Sequence, residues 1–220
     1  MPKERPMSED LVFYTNPMSR GRMVRWMLEE VGAPYATEIV GYGPPMKTGP
    51  YAAINPMGKV PALTHRGVVV TEVAAICAYL ADAFPDAGLA PALDDPARGA
   101  YYRWLFFSAG PVESAITNTA LGFQAPPERE AMLGYGNLAK VLDVLEAAID
   151  PARNGGHDYI CGDRFTAADL YVSSQLGYGL LFKTIEARPA YVAYVGKTSS
   201  RPAALRAKAI DDALAPMPAR

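Results

Sequence analysis

Every strand-like run in this chain lies before Phe84, and beyond Pro96 the apolar residues recur only at helical spacing. This division constrains the fold more than any other feature of the sequence. Leu11–Tyr14 is a short apolar, β-prone run, closed by the breaker Asn16-Pro17. Val24, Met27, Leu28 and Val31 then recur with helical period, and Gly32 supplies the stop. Tyr35–Val40 reads as a second strand. Gly41–Pro50, with three glycines and three prolines, reads as a loop. Val60–Leu63 and Val68–Val70 form two short strands about a turn at Arg66-Gly67, and Val73, Ile76, Leu80 and Phe84 resume helical spacing. The order is β-α-β, then β-β-α.

Pro85–Pro96 is rich in Pro, Asp, Ala and Gly without periodicity and reads as a linker. Helices are expected after it at about 97–121, 138–149, 167–182, 189–197 and 202–214. The clearest is the stripe Leu138, Val141, Leu142, Leu145 and Ile149. Residues 1–10 read as a disordered tail, 11–84 as a small mixed α/β domain, 85–96 as the linker and 97–215 as an all-helical domain. The first ten residues carry charge but no apolar run, so they do not resemble a secretory signal.

Composition narrows the function classes. A net charge of −2 over 220 residues offers no electrostatic case for nucleic acid or an anionic membrane. No apolar run approaches the roughly 20 residues of a membrane-spanning helix. Cys77 and Cys161 are too few for a disulfide framework and lack metal-ligand spacing. The expectation is a soluble, cytoplasmic protein with no metal.

Three segments carry a resemblance. The first is Asn55-Pro-Met-Gly-Lys-Val-Pro-Ala-Leu63, followed one hairpin later by Thr71-Glu-Val-Ala-Ala-Ile-Cys-Ala-Tyr-Leu80. The second is Gly162-Asp-Arg-Phe-Thr-Ala-Ala-Asp-Leu170, where Thr166 and Asp169 have capping-box spacing and Phe165 and Leu170 the spacing of a hydrophobic staple. The third is Tyr14-Thr-Asn-Pro-Met-Ser-Arg-Gly-Arg-Met-Val-Arg-Trp-Met-Leu-Glu-Glu-Val-Gly32. Together they resemble the cytosolic glutathione transferases, in particular bacterial and fungal members with a serine-containing P-x-S-R loop. The resemblance implies a thioredoxin-like N-terminal domain, an all-helical C-terminal domain and glutathione as co-substrate.

It also implies roles for particular residues. Pro61 is expected to be the cis-proline of the thioredoxin-like fold, with Val60 offering its backbone N–H and C=O to the cysteinyl part of glutathione. Glu72 is expected to pair with the γ-glutamyl ammonium at a helix N-terminus, where backbone N–H groups also favour a carboxylate. Val73 stands where the family usually has serine. It keeps the N–H and loses a hydroxyl bond, a difference of about 0.5–1.5 kcal/mol, which predicts weakened affinity. Lys59 is a candidate for the glycyl carboxylate. Asp169 is expected to fold the chain, not to catalyse.

Conjugation requires a thiol with an ordinary pKa near ~8.5 to ionise at neutral pH, which a helix N-terminus with a nearby donor or cation promotes. Ser19, where the loop becomes helix, is one candidate donor, with Arg20 or Arg22 adding positive potential; its plainer role is capping the helix. Tyr14, at the end of the first strand, is the other. Neither cysteine lies in this loop, which argues against thiol–disulfide exchange through a protein cysteine, and both read as packed thiols. Tyr101, Trp104 and Ser108 share one helical face and are candidates for the second-substrate pocket, although aromatics at such spacing are commonly core.

The expected partners are glutathione, a small hydrophobic electrophile and a second copy of the chain in a homodimer. The expected reaction is conjugation, with glutathione-dependent peroxide reduction a further activity. The alternative is a catalytically weak, transferase-like binder or regulator. An isomerase of the maleylacetoacetate type is disfavoured because its Ser-Ser-Cys loop is absent.

Overall fold

The computed structural model describes residues 10–215; the expected tail over residues 1–10 lies, apart from Asp10, outside them. The chain divides into two compact units, one running to Ala87 and resuming at Pro202, the other spanning Gly88–Arg201.

The first unit holds a four-stranded sheet. Strand β1 (Leu11–Thr15) pairs in parallel with β2 (Ala36–Ile39) and antiparallel with β3 (Ala62–His65), which pairs antiparallel with β4 (Val68–Thr71). The order is β2-β1-β3-β4. Tyr14 lies opposite Ala62, Ala62 opposite Thr71, and Thr15 beside Ile39. The ends of β1, β2 and β4 and the start of β3 therefore share one end of the sheet.

Helix α1 (Gly21–Val31) buries Met23, Val24, Trp26, Met27 and Leu28, each large apolar side chain contributing roughly 1.5–3 kcal/mol. Gly32 ends it in the left-handed conformation, φ 72°, and its N–H donates to the Leu28 carbonyl, as the stop signal predicts. The Gly41–Pro50 stretch, read above as loop, contains α2 (Pro44–Lys47) and leads into α3 (Pro50–Ile54). Both begin with proline, which suits a first helical position, and both are too short to display a helical period. Helix α4 (Val73–Ala83) follows β4.

In the second unit, α5 (Ala97–Phe107) and α6 (Glu113–Ala120) are joined by a wider π turn over Ser108–Val112. A single helix was the expectation here. Pro111 interrupts it, because proline has no N–H to give to the ladder. Helix α7 (Leu138–Ile149) buries Val141, Leu142, Leu145 and Ile149 from its predicted stripe. Helix α8 (Ala167–Leu181) is buried along most of its length, as expected of a core helix without a polar face. Helix α9 (Pro189–Ser199) is tied to α7 by Tyr191, whose hydroxyl donates to the Leu142 carbonyl at 2.6 Å.

Helix α10 (Pro202–Leu214), read from sequence as part of the helical domain, packs on α1 in the first unit. It buries Ala203, Ala204, Ala207 and Asp211. Three alanines permit close approach, and the buried aspartate meets a cation on α1.

Candidate active site

The loop between β1 and α1 is held by its own side chains. Asn16 Nδ2 donates to the Val40 carbonyl at 3.0 Å, while its Oδ1 accepts from the Met18 N–H at 3.0 Å. The Ser19 hydroxyl donates to the Asn16 carbonyl at 2.7 Å and accepts from the Gly21 N–H at 2.9 Å. Ser19 thus braces the start of α1, close to the capping role weighed above, and its proton is engaged within the loop. Gly21 is obligatory here, since a Cβ would lie 1.9 Å from Thr15 Oγ1.

Tyr14 packs against the cluster of Val40, Met46, Tyr51 and Ala62, with its ring centroid 5.8 Å from that of Tyr51. The Tyr51 hydroxyl donates to the Lys59 carbonyl at 2.5 Å, and burial pushes its pKa up to about 12, so it remains neutral. Asn55 Nδ2 donates to the same carbonyl at 2.8 Å. Together Tyr51 and Asn55 fix the segment that enters Pro61. Asn55 was visible in the motif, but Tyr51 carried no local signal. Gly58, at φ 60°, adopts the left-handed conformation, and a Cβ there would crowd the Met46 carbonyl at 3.1 Å.

The Val60–Pro61 peptide is cis. Val60 is half-buried on the Tyr51 cluster, and Lys59 is exposed. Glu72 is the N-cap of α4 at φ 65°, ψ 119°, outside the left-handed well that a non-glycine residue tolerates, at a cost of order 1–3 kcal/mol. Its side chain makes no capping bond and is exposed. The first N–H groups of α4, beginning with Val73, therefore have no side-chain cap from Glu72. Through the strand register, the Ser19 loop, Tyr14, Val60-Pro61 and Glu72-Val73 converge on one end of the sheet.

The remaining candidates behave differently. Tyr101, Trp104 and Ser108 are all buried, which fits packing, while Phe106 of the same helix is 71 % exposed. A groove of roughly 600 Å³ within the helical unit is lined by Leu138, Leu142, Lys183, Ile185 and neighbours, and includes none of the candidate residues. Burial pushes both Cys77 and Cys161 up to about 12, so neither offers a thiolate at neutral pH. Among the described residues no group of three His, Cys, Asp or Glu is arranged to hold a metal, and no helix is long and apolar enough to cross a membrane.

A thioredoxin-like sheet with a cis-proline at the head of β3, followed by a helical unit, defines the glutathione transferase fold. The family profile for the glutathione S-transferase N-terminal domain matches residues 18–83, and that for the C-terminal domain matches 103–202. A glutathione S-transferase of Escherichia coli O157:H7 is 31% identical over 154 residues, covering 69% of this chain and 73% of that protein. The crystal structure of a glutathione transferase from Methylococcus capsulatus superposes with a TM-score of 0.75 at 28% identity, covering 92% of this chain and 99% of that one. A sphingomonad glutathione S-transferase complexed with glutathione gives a TM-score of 0.70 at 29% identity, covering 91% and 98%. The chain belongs to the glutathione S-transferase family and is an enzyme of the glutathione transferase class.

Proposed function

We propose that this enzyme binds glutathione at the shared end of the sheet and conjugates its thiolate to small, mostly hydrophobic electrophiles. The observation that carries this reading is the convergence there of a strained, uncapped Glu72, the cis Val60–Pro61 peptide and the Ser19 loop at the start of α1. Each answers a different part of the tripeptide. The α4 N-terminus and Glu72 suit the γ-glutamyl carboxylate and ammonium, Val60 the cysteinyl backbone, and Lys59 the glycyl carboxylate.

Thiol ionisation falls to Ser19 or Tyr14. Gly21 already donates to the Ser19 oxygen, so turning its hydroxyl from the Asn16 carbonyl toward sulfur costs one neutral hydrogen bond and returns a charge-assisted one. Tyr14 is the alternative donor, half-buried beside Val60 and Tyr51. Ser19→Ala is expected to raise the pKa of the bound thiol and lower kcat, with Tyr14→Phe having the smaller effect; the reverse pattern assigns the thiol to Tyr14. Trp104→Ala tests the second-substrate role of α5. A loss of stability with an unchanged electrophile KM leaves Tyr101, Trp104 and Ser108 as packing residues.

A second reading, a weak or regulatory glutathione binder, is favoured by Val73, which has no hydroxyl to give to the ligand. Calorimetry with glutathione beside conjugation of a generic aryl halide separates the two, since binding without turnover supports the regulator. Peroxide reduction is tested with the same preparation. A cytoplasmic homodimer belongs to this proposal, with sedimentation as its check.

A further inference from the structure

Helix α10 reaches the candidate active-site loop through side chains, and two of its acids make the contacts. Along α1 and α10 runs a ladder of ion pairs. Arg22 Nη1 meets Asp212 Oδ1 at 2.7 Å, Arg25 Nε meets Asp211 Oδ1 at 2.7 Å, and Arg206 Nε meets Glu29 Oε2 at 3.1 Å. Arg22 has a second bond, from Nε to the Pro17 carbonyl at 2.5 Å. Pro17 lies between Asn16 and Ser19, so one guanidinium holds both the loop and the terminal helix.

Arg25, one turn further along α1, is buried. Its guanidinium donates to Tyr35 Oη at 3.1 Å and to Thr37 Oγ1 at 3.2 Å, and stands 5.1 Å from the centre of the Phe13 ring. It thereby joins β1, β2 and α1 to Asp211. Arg25 Nη2 and Asp211 Oδ2 are buried without hydrogen-bond partners among the described residues. A buried pair left partly unsatisfied in this way is weak as a source of stability, because desolvation offsets much of the attraction. Its geometric consequence is stronger, since it fixes the rotation and height of α1 against the sheet.

We infer that Asp211 and Asp212 are positioning residues that set the Asn16–Arg20 loop, and with it the thiol-polarising donor, through Arg25 and Arg22. The inference rests on the proposal that glutathione's thiol is ionised at this loop. It makes the helix after Pro202 part of the catalytic apparatus while touching no substrate.

Asp212→Ala is the decisive variant, because the Arg22–Asp212 pair is partly exposed and such pairs contribute little to stability. The measurements are thermal stability, hydrogen exchange at the Met18 and Gly21 amides, the pKa of the bound glutathione thiol, and the split between kcat and KM. The expected result is an unchanged melting temperature and faster exchange at both amides. The thiol pKa should rise and kcat fall about five-fold at nearly constant KM for glutathione, a scale typical of residues remote from a ligand. Asp212→Glu is expected to restore most of the loss, and Asp211→Asn to reproduce it more strongly. Unchanged exchange and thiol pKa in Asp212→Ala overturn the inference while leaving the proposed function standing. A wild-type enzyme that binds glutathione without lowering its thiol pKa overturns both.

Discussion

The N-termini of α8 and α4 each place an acid, in opposite arrangements. At α8, Thr166 and Asp169 form a complete capping box. Asp169 Oδ1 accepts from the Ile160 N–H and the Tyr194 hydroxyl, and Oδ2 from the Thr166 N–H and hydroxyl, at 2.6–2.8 Å. The carboxylate is buried and its acceptor capacity is spent within the fold. At α4, Glu72 stands at the cap position with φ 65°, makes no capping bond and faces solvent. The first arrangement is closed and rigid. The second carries a conformational cost and leaves its charge and neighbouring N–H groups available to a ligand. An acid at a helix start is thus a lock or, in the proposed glutathione site, a receptor, according to whether the fold supplies donors for it.

The largest expected effect comes from breaking the lock. Asp169→Ala leaves four buried donors without an acceptor and should cost about 3 kcal/mol or more, read as a lower midpoint in urea. A loss under ~1 kcal/mol, the size of one ordinary hydrogen bond, would place Asp169 on the same footing as a surface cap.

The receptor should respond in affinity and not in stability. Glu72→Ala is expected to weaken glutathione binding about tenfold, or ~1.4 kcal/mol, with little change in melting temperature. An unchanged dissociation constant in calorimetry would reduce Glu72 to a charge at a helix end. Glu72→Gly sharpens the contrast, because glycine accepts φ 65° without a Cβ penalty. Relief of strain of order 1–3 kcal/mol, less glycine's entropic cost of about 0.5–1 kcal/mol, should leave a net gain near ~1 kcal/mol. The affinity should nevertheless fall as in the alanine variant. If stability falls instead, the backbone at Glu72 is not strained.

The smallest effect concerns the opposite end of β3 and α4, away from the candidate site. His65 of β3 is hydrogen-bonded to Tyr79 of α4 at 2.9 Å and stacked on Phe84. Burial, and secondarily the Arg66 cation, hold its pKa below the ordinary value, opposed by Asp10. The unfolded chain therefore takes up a proton first as pH falls below about 6.5. Stability is full above that value, declines toward the lower folded-state pKa and then levels. His65→Asn should flatten this slope between neutral pH and pH ~5, and urea midpoints across that range would show it.

The local elements of both units were legible because each is announced by neighbours in sequence. Gly32 marks the end of α1, Arg66-Gly67 the hairpin, and Thr166 with Asp169 the start of α8. Pro111 is the local residue that marks the break between α5 and α6, where apolar spacing alone suggested one helix. Helices α2 and α3 were not legible, because one turn of helix has no period to display.

The candidate site was legible only as motifs. Asn55–Leu63 and Thr71–Leu80 pointed to the Pro61 and Glu72 segments, yet nothing local foretold the conformation at Glu72 or the engagement of the Ser19 proton.

By itself the sequence determined the four strands, the helices long enough to show a period, the capping box at α8 and the family, because these depend on residues within a turn or a hairpin of one another. Only the tertiary structure decided that α10 returns to the first unit. The bond between Arg25 and Asp211 spans 186 positions, and no local pattern encodes which buried cation a distant aspartate will meet. That partnership is settled by the fit of three alanines against α1 and by the need of each buried charge for its opposite.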